Sequence, residues 1–138
     1  MANRITLMLA LLMVSIFSLA ESSSDALRNM PKNAYGYTVV DVSDFMKVAV
    51  DKDFALVNVH IPYGGEIPGT DASIAFNDLQ AISSAFPDKE APLVIYCRSG
   101  SMSRQTAQRL VQMGYQNVID IAGGSNAWRN LGNPWVVR

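Results

Sequence analysis

The chain has 138 residues, 49% of them hydrophobic and 17% charged, with a formal net charge of −1. That size suits one compact domain with a sizeable core. The near-neutral balance and the lack of any dense Lys/Arg run argue against nucleic acid as a main partner, and a single histidine and a single cysteine are too few soft ligands for a metal site.

Residues 1–20 read as a cleavable signal peptide. Arg4 supplies a positive start, Ile5 to Ala20 carries no charge, and Ser18-Leu19-Ala20 is a small-x-small cleavage signal ahead of the polar run Glu21-Ser22-Ser23-Ser24. The apolar stretch is short of the roughly 20 residues a free-standing span needs. An uncleaved N-terminal anchor is the alternative. Either way the domain is expected in the periplasm or another extracytoplasmic space, with no stable membrane insertion after cleavage. Residues 21–34 are polar and read as a flexible leader, which leaves 35–138 as the domain.

Tyr37 to Val40 is rich in β-formers, and Ser43 is placed to cap a helix over about Asp44 to Val50. Phe54 to Val59 is an apolar, β-branched strand. Ile61 to Thr70 holds two prolines and three glycines and predicts an ordered loop. A short strand at Ala72–Ile74 precedes a helix capped by Asn77 or Asp78 and stopped by Pro87. Pro92 to Tyr96 is the clearest strand, continuously apolar and so buried on both faces. Helical spacing runs from Ser103 to Met113, with Gly114 in the usual position after a helix end. Val118 to Ile121 is the last strand, Gly123-Gly124 turns the chain, and Ser125 is placed to cap a helix to about Asn130. Strands alternating with helices at short intervals predict an α/β fold with a mainly parallel sheet covered on both faces. Ligands of such sheets sit beyond the carboxyl ends of the strands, which is where Cys97 falls.

Cys97 is the only cysteine, so an intramolecular disulfide is impossible. Inert packing is the ordinary role of a cysteine ending a buried strand. The sequence that follows, Arg98-Ser99-Gly100-Ser101-Met102-Ser103-Arg104, argues for a nucleophile instead. A thiol reacts as its thiolate. Successive backbone N–H groups can curl around the sulfur, the helix start directs its positive end at the loop, and Arg98 adds a permanent positive charge. Gly100 permits a backbone conformation that a side chain hinders. Ser99, Ser101 and Ser103 offer hydroxyl donors, one of them also placed to cap the helix.

Tyr96 to Ser103 resembles the active-site segment of single-domain rhodaneses. The resemblance extends over roughly 37–136. Phe54-Ala55-Leu56-Val57-Asn58-Val59 is similar to the family's second strand, and Gly65-Glu66-Ile67-Pro68-Gly69-Thr70 to its Gly-His-Ile-Pro-Gly-Ala turn. Met113-Gly114-Tyr115 with Asn117-Val118 follows the pattern after its active-site helix, and Gly123-Gly124-Ser125-Asn126-Ala127-Trp128 resembles its Gly-Gly-x-x-Ala-Trp segment. The resemblance implies the rhodanese-like three-layer fold on a five-stranded sheet. It implies a thiosulfate sulfurtransferase working by double displacement. Cys97 would take a sulfane sulfur from thiosulfate or a similar small anionic donor as a persulfide, then pass it to cyanide or another thiophilic acceptor. Arg98, Ser99, Gly100, Ser101 and Met102 would bind the donor, and no metal or organic cofactor is required.

The chain departs from the family in two places. Asn58-Val59-His60 stands where many members have Asp-Val-Arg, and Met102 stands where many have Arg, which predicts a weaker preference for doubly charged donors. Phosphatases and arsenate reductases of the same fold need Arg six positions after the cysteine. That position is Ser103, and no Asp general acid is evident in the loop. A persulfide carrier or non-catalytic binding module would keep the same loop. A thiol–disulfide oxidoreductase is disfavoured because no second cysteine can resolve a mixed disulfide. His60 is read as a loop hydrogen-bonding residue in place of the structural Arg, Tyr63 as lining the pocket mouth or anchoring the loop, Trp128 and Trp135 as packing residues, and Arg104 and Arg109 as a solvated helix face.

Overall fold

The structure, a computed structural model, describes residues 21–138; the expected signal peptide lies outside them. Five strands, β1 (Thr38–Val40), β2 (Ala55–Asn58), β3 (Ala72–Ser73), β4 (Leu93–Tyr96) and β5 (Val118–Ile121), form one parallel sheet in the order β1-β5-β4-β2-β3. β4 is central, so both its neighbours shield it and all four of its residues are buried. This is the expected α/β architecture, with helices on both faces.

Alternation along the strands divides the core. One face carries Leu56, Val94, Tyr96, Ile119 and Ile121 against α2 (Val42–Ala49) and α5 (Gly124–Asn130), through Phe45, Val48 and Trp128. The other carries Val57, Leu93, Ile95, Cys97 and Val118 against α3 (Leu79–Ala85) and α4 (Ser101–Gln112), through Ile82, Ala107 and Leu110. The thiol of Cys97 therefore belongs to the α4 side of the sheet.

Three expectations are corrected. Residues 21–34 are not a free leader. Ser22 caps a helix, α1 (Ser23–Arg28), whose Leu27 is 1% exposed in the core, and Ser24 donates to Asp53 Oδ1 from its backbone N (2.7 Å) and its hydroxyl (2.9 Å). The segment's polar composition hides one leucine that only a tertiary partner can bury. Second, α2 is capped by Asp41, which accepts from Asp44 N at 2.7 Å, rather than by Ser43. Third, α4 and α5 start on glycines in the left-handed region, Gly100 and Gly123, without a side-chain cap from any serine. The caps at Asp78 and the helix stop at Gly114 (φ +96°) are as expected.

Candidate active site

Cys97 leaves the carboxyl end of β4, and only Arg98, Ser99 and Gly100 separate it from α4. Gly100 makes so tight a loop possible. Its φ of +108° lies where a side chain is strained, and there its N–H donates to Cys97 Sγ at 3.0 Å. The first backbone bond of the helix runs from Arg104 N to Gly100 O (3.1 Å). The N–H groups of Ser101, Met102 and Ser103 therefore have no intrahelical acceptor and form the positive end of a 12-residue helix beside the sulfur. From below, the Ser103 hydroxyl lies 3.4 Å from Sγ. The arrangement points N–H donors at the sulfur and offers them to any anion bound beside it.

The loop is held from the opposite side by α5. Ser125 N donates to Cys97 O at 2.8 Å and Asn126 N to Arg98 O at 3.0 Å. Gly124 (φ +54°) lets that helix approach so closely that a β-carbon there would stand 2.1 Å from Cys97 O. The Gly123-Gly124 pair is thus a contact surface for the loop as well as a turn.

The six expected site residues occupy different depths. Cys97 is 1% exposed, Gly100 is buried, Met102 packs half-buried against the α4-side core, and Arg98, Ser99 and Ser101 are exposed. Arg98 lines a cleft of about 250 Å³ with Asn58, His60, Gly64, Gly65, Ser125, Arg129 and Trp135. Two guanidinium groups and an imidazole face this cleft, which suits a small anion. Asn58 is buried and organises its wall, donating to Gly65 O at 3.1 Å and accepting from His60 N at 3.0 Å, so the Asn-Val-His variant is built into the loop by hydrogen bonds. Trp135 does more than pack: its indole N–H donates to Gly64 O at 3.2 Å and its ring lies 5.2 Å from the Arg129 guanidinium. Trp128 is core, stacked edge-on against Phe45. Tyr63 is exposed, outside the cleft, and accepts from Arg138 N. A larger groove of about 570 Å³ includes Ser24, Lys52, Phe86 and Pro92 and none of the loop residues.

Sequence reasoning missed Arg129 and Asp120. Arg129 directly follows the Ala127-Trp128 pair of the recognised motif, which was the available signal. Asp120 is the one acid inside an otherwise apolar strand. Burial pushes its carboxyl up to about 6, against smaller lowering effects from the neighbouring Ser103 hydroxyl and the Arg104 charge. Arg104 is exposed on α4, as expected, yet its field reaches this acid. Among the described residues, no group of His, Cys, Asp and Glu could hold a metal ion.

The chain is 37% identical over 93 residues to a sulfurtransferase from Allochromatium vinosum, a match covering 65% of this chain and 85% of that one. It is 40% identical over 47 residues to thiosulfate sulfurtransferase GlpE of Actinobacillus pleuropneumoniae, covering 34% of this chain and under half (44%) of that relative. A solved structure from Rhodopseudomonas palustris, a protein of unknown function described as a possible tyrosine phosphatase, superposes with a TM-score of 0.63 at 25% identity, covering 71% of this chain and 83% of that one. The family model for the rhodanese-like domain matches residues 23–131, from α1 to the end of α5. With its parallel sheet, its Cys97 loop and that match, the chain belongs to the rhodanese-like domain family.

Proposed function

We propose that the protein is a sulfurtransferase that carries a sulfane sulfur on Cys97. One observation carries the reading: the Cys97 sulfur ends the central strand within 3.0 Å of the Gly100 N–H, at the start of α4, beside a cleft faced by Arg98, Arg129 and His60. The sulfurtransferase relatives point the same way. The Cys97 thiolate attacks the outer sulfur of thiosulfate, a new S–S bond forms, and the old S–S bond breaks with its electron pair leaving on sulfite. The persulfide anion keeps one negative charge, which the N–H groups at the start of α4 stabilise as they stabilised the thiolate. Cyanide or another thiophile then takes the outer sulfur and restores the thiolate. Arg98 and Arg129 hold the donor's sulfonate end. Cys97 is buried, so the donor's outer sulfur must reach it past the Arg98–Ser99 turn.

Ser103 at the sixth position after the cysteine disfavours the phosphatase reading, since it offers a hydroxyl beneath the sulfur where phosphoryl transfer needs a guanidinium clamp. Export through residues 1–20 belongs to the same proposal.

Intact-mass spectrometry of the protein after thiosulfate treatment tests the persulfide. The expected result is a gain of one sulfur that is absent in Cys97→Ser; an unmodified wild type overturns it. Sulfur uptake without turnover to cyanide would mark a carrier instead. The same spectrum from the exported protein reports cleavage after Ala20.

A further inference from the structure

Residues 134–138 lie beyond the range 23–131 that the family model matches, yet Trp135 among them lines the cleft beside the Cys97 loop. The segment is tied down on both sides of that residue. Trp128 of α5, buried in the core, donates its indole N–H to Pro134 O at 2.7 Å. Glu66 and Val136 exchange two backbone bonds, of 2.7 and 3.0 Å, and Arg138 pairs with the buried Glu66 carboxylate. Between these fastenings the Trp135 indole is set against Gly65 (φ +112°), where a β-carbon would stand 2.2 Å from its Nε1, and it donates to Gly64 O at 3.2 Å. The ring is therefore fixed, and the Arg129 guanidinium lies 5.2 Å from its centre. Arg129 comes from the last turn of α5, the helix that backs the Cys97 loop. Among the described residues neither Arg129 nor Arg98 has an ion-pair partner, and no carboxylate lines the cleft they share.

We propose that Trp135 is a positioning residue that sets donor specificity: it holds the Arg129 guanidinium in the cleft with Arg98, so that two positive charges await the sulfonate end of a doubly charged donor. A carboxylate in its place would neutralise the guanidinium and occupy its N–H fork. An indole face attracts the cation and consumes none of its N–H donors. A long arginine side chain also loses conformational freedom when it grips a ligand, and one already held on a ring has given up part of it beforehand. The benefit falls mainly on a donor with two negative charges. Methanethiosulfonate is the comparison, because it delivers the same outer sulfur with one charge fewer. The Cys97 thiolate forms a new S–S bond with that sulfur, and the old S–S bond breaks with its electron pair leaving on methanesulfinate. Trp135 acts through Arg129 and touches neither reacting sulfur.

The inference rests on the proposed sulfur transfer to Cys97, and its test has one arm that needs none. In the first arm, kcat and KM are measured for thiosulfate and for methanethiosulfonate, with cyanide as acceptor. Trp135→Leu should raise the thiosulfate KM about threefold to tenfold, the loss expected when one cation–ring contact is removed, with kcat little changed. Its KM for methanethiosulfonate should rise much less. Trp135→Phe keeps a ring and should stay near the wild type. In an Arg129→Gln background, Trp135→Leu should add nothing further. An unchanged thiosulfate KM in Trp135→Leu overturns the proposal, and so does an equal rise for both donors, which would mark a merely structural role. In the second arm, thiosulfate is titrated into Cys97→Ser, which cannot accept sulfur, and indole emission is followed. The emission should change to saturation, and Cys97→Ser/Arg129→Gln should need several times more thiosulfate. The change should vanish in Cys97→Ser/Trp135→Phe, because Trp128 lies outside the cleft. Should Trp135→Leu fail to fold, this titration decides alone, and an emission that never responds overturns the proposal even where Cys97 is loaded with sulfur. If the emission responds as expected but thiosulfate leaves wild-type Cys97 unmodified, the sulfurtransferase reading fails and the role of Trp135 in anion binding stands.

Discussion

Gly124→Ala tests how the Cys97 loop is held in place. Two separate effects act at this position. A residue other than glycine at φ +54° costs about 1–2 kcal/mol of backbone strain. The added β-carbon would also stand 2.1 Å from Cys97 O and 2.9 Å from Arg98 O, both backbone atoms that cannot rotate away. Relief requires α5 and the loop to part by roughly an ångström, which breaks the Ser125 N to Cys97 O and Asn126 N to Arg98 O bonds at about 0.5–1.5 kcal/mol each. The total is about 2–5 kcal/mol. Gly132→Ala is the matched control: φ is +78° and nothing lies within 4 Å of its β-carbon, so only the strain applies. Urea denaturation of the two variants should differ by about 1–3 kcal/mol, and at roughly 4 °C per kcal/mol the Tm of Gly124→Ala should fall by about 8–20 °C. Because the loop loses its backing, Cys97 alkylation at pH 7 should also change in Gly124→Ala and stay at the wild-type rate in Gly132→Ala. Equal losses of stability in both variants, with unaltered thiol reactivity, would refute the argument that α5 sets the loop's position.

Tyr96→Phe should cost about 1–3 kcal/mol in urea denaturation, because the fully buried hydroxyl accepts from Ile67 N at 2.9 Å and pairs with Thr70 Oγ1 at 2.7 Å; Ile67 N would be orphaned, while Thr70 Oγ1 keeps its bond to Ile67 O. Burial holds this phenol at about 12, so its contribution should persist through neutral pH and be lost only as pH climbs from about 10 toward 12. Leu27→Ala should lose about 2–4 kcal/mol by the same measurement, whereas a dangling leader would lose nothing. Removing Asp120 should have the opposite effect on stability. Its folded carboxyl is raised from 3.8 to about 6, so the folded state holds the proton more tightly and stability falls as pH rises through that window. Asp120→Asn should therefore stabilise the protein at pH 7 by on the order of 2–3 kcal/mol, with the gain fading below about pH 4, as thermal melts across pH 3–8 would report.

Much of the architecture was legible along the chain because local physics and tertiary outcome agree. The continuously apolar 93–96 segment could only be a central strand, and the spacing of Ala107, Leu110 and Val111 could only serve a helix that buries one face. Cys97 stood out chemically, and the glycine three residues later had one use, which the 3.0 Å bond from Gly100 N to the sulfur makes visible. The helix starts at Gly100 and Gly123 were misread as serine caps, since a serine near a helix start looks alike whether or not its side chain turns toward the backbone.

The sequence by itself determined the strand–helix alternation, the lone cysteine and its loop, and the family motifs that carry the resemblance. Those are consequences of residue type and short spacing, which act within one turn or one strand. Only the tertiary structure decided that Leu27 is core, that Arg129 and Trp135 share a cleft with Arg98 and His60, and that Asp120 is buried on the same side of the sheet as Cys97. Each of these depends on which side of a parallel sheet a residue faces and which distant segment lies across from it. The parallel crossovers that bring β4 and β5 side by side place a carboxyl and a thiol 23 positions apart at one end of one layer. No local pattern encodes that meeting.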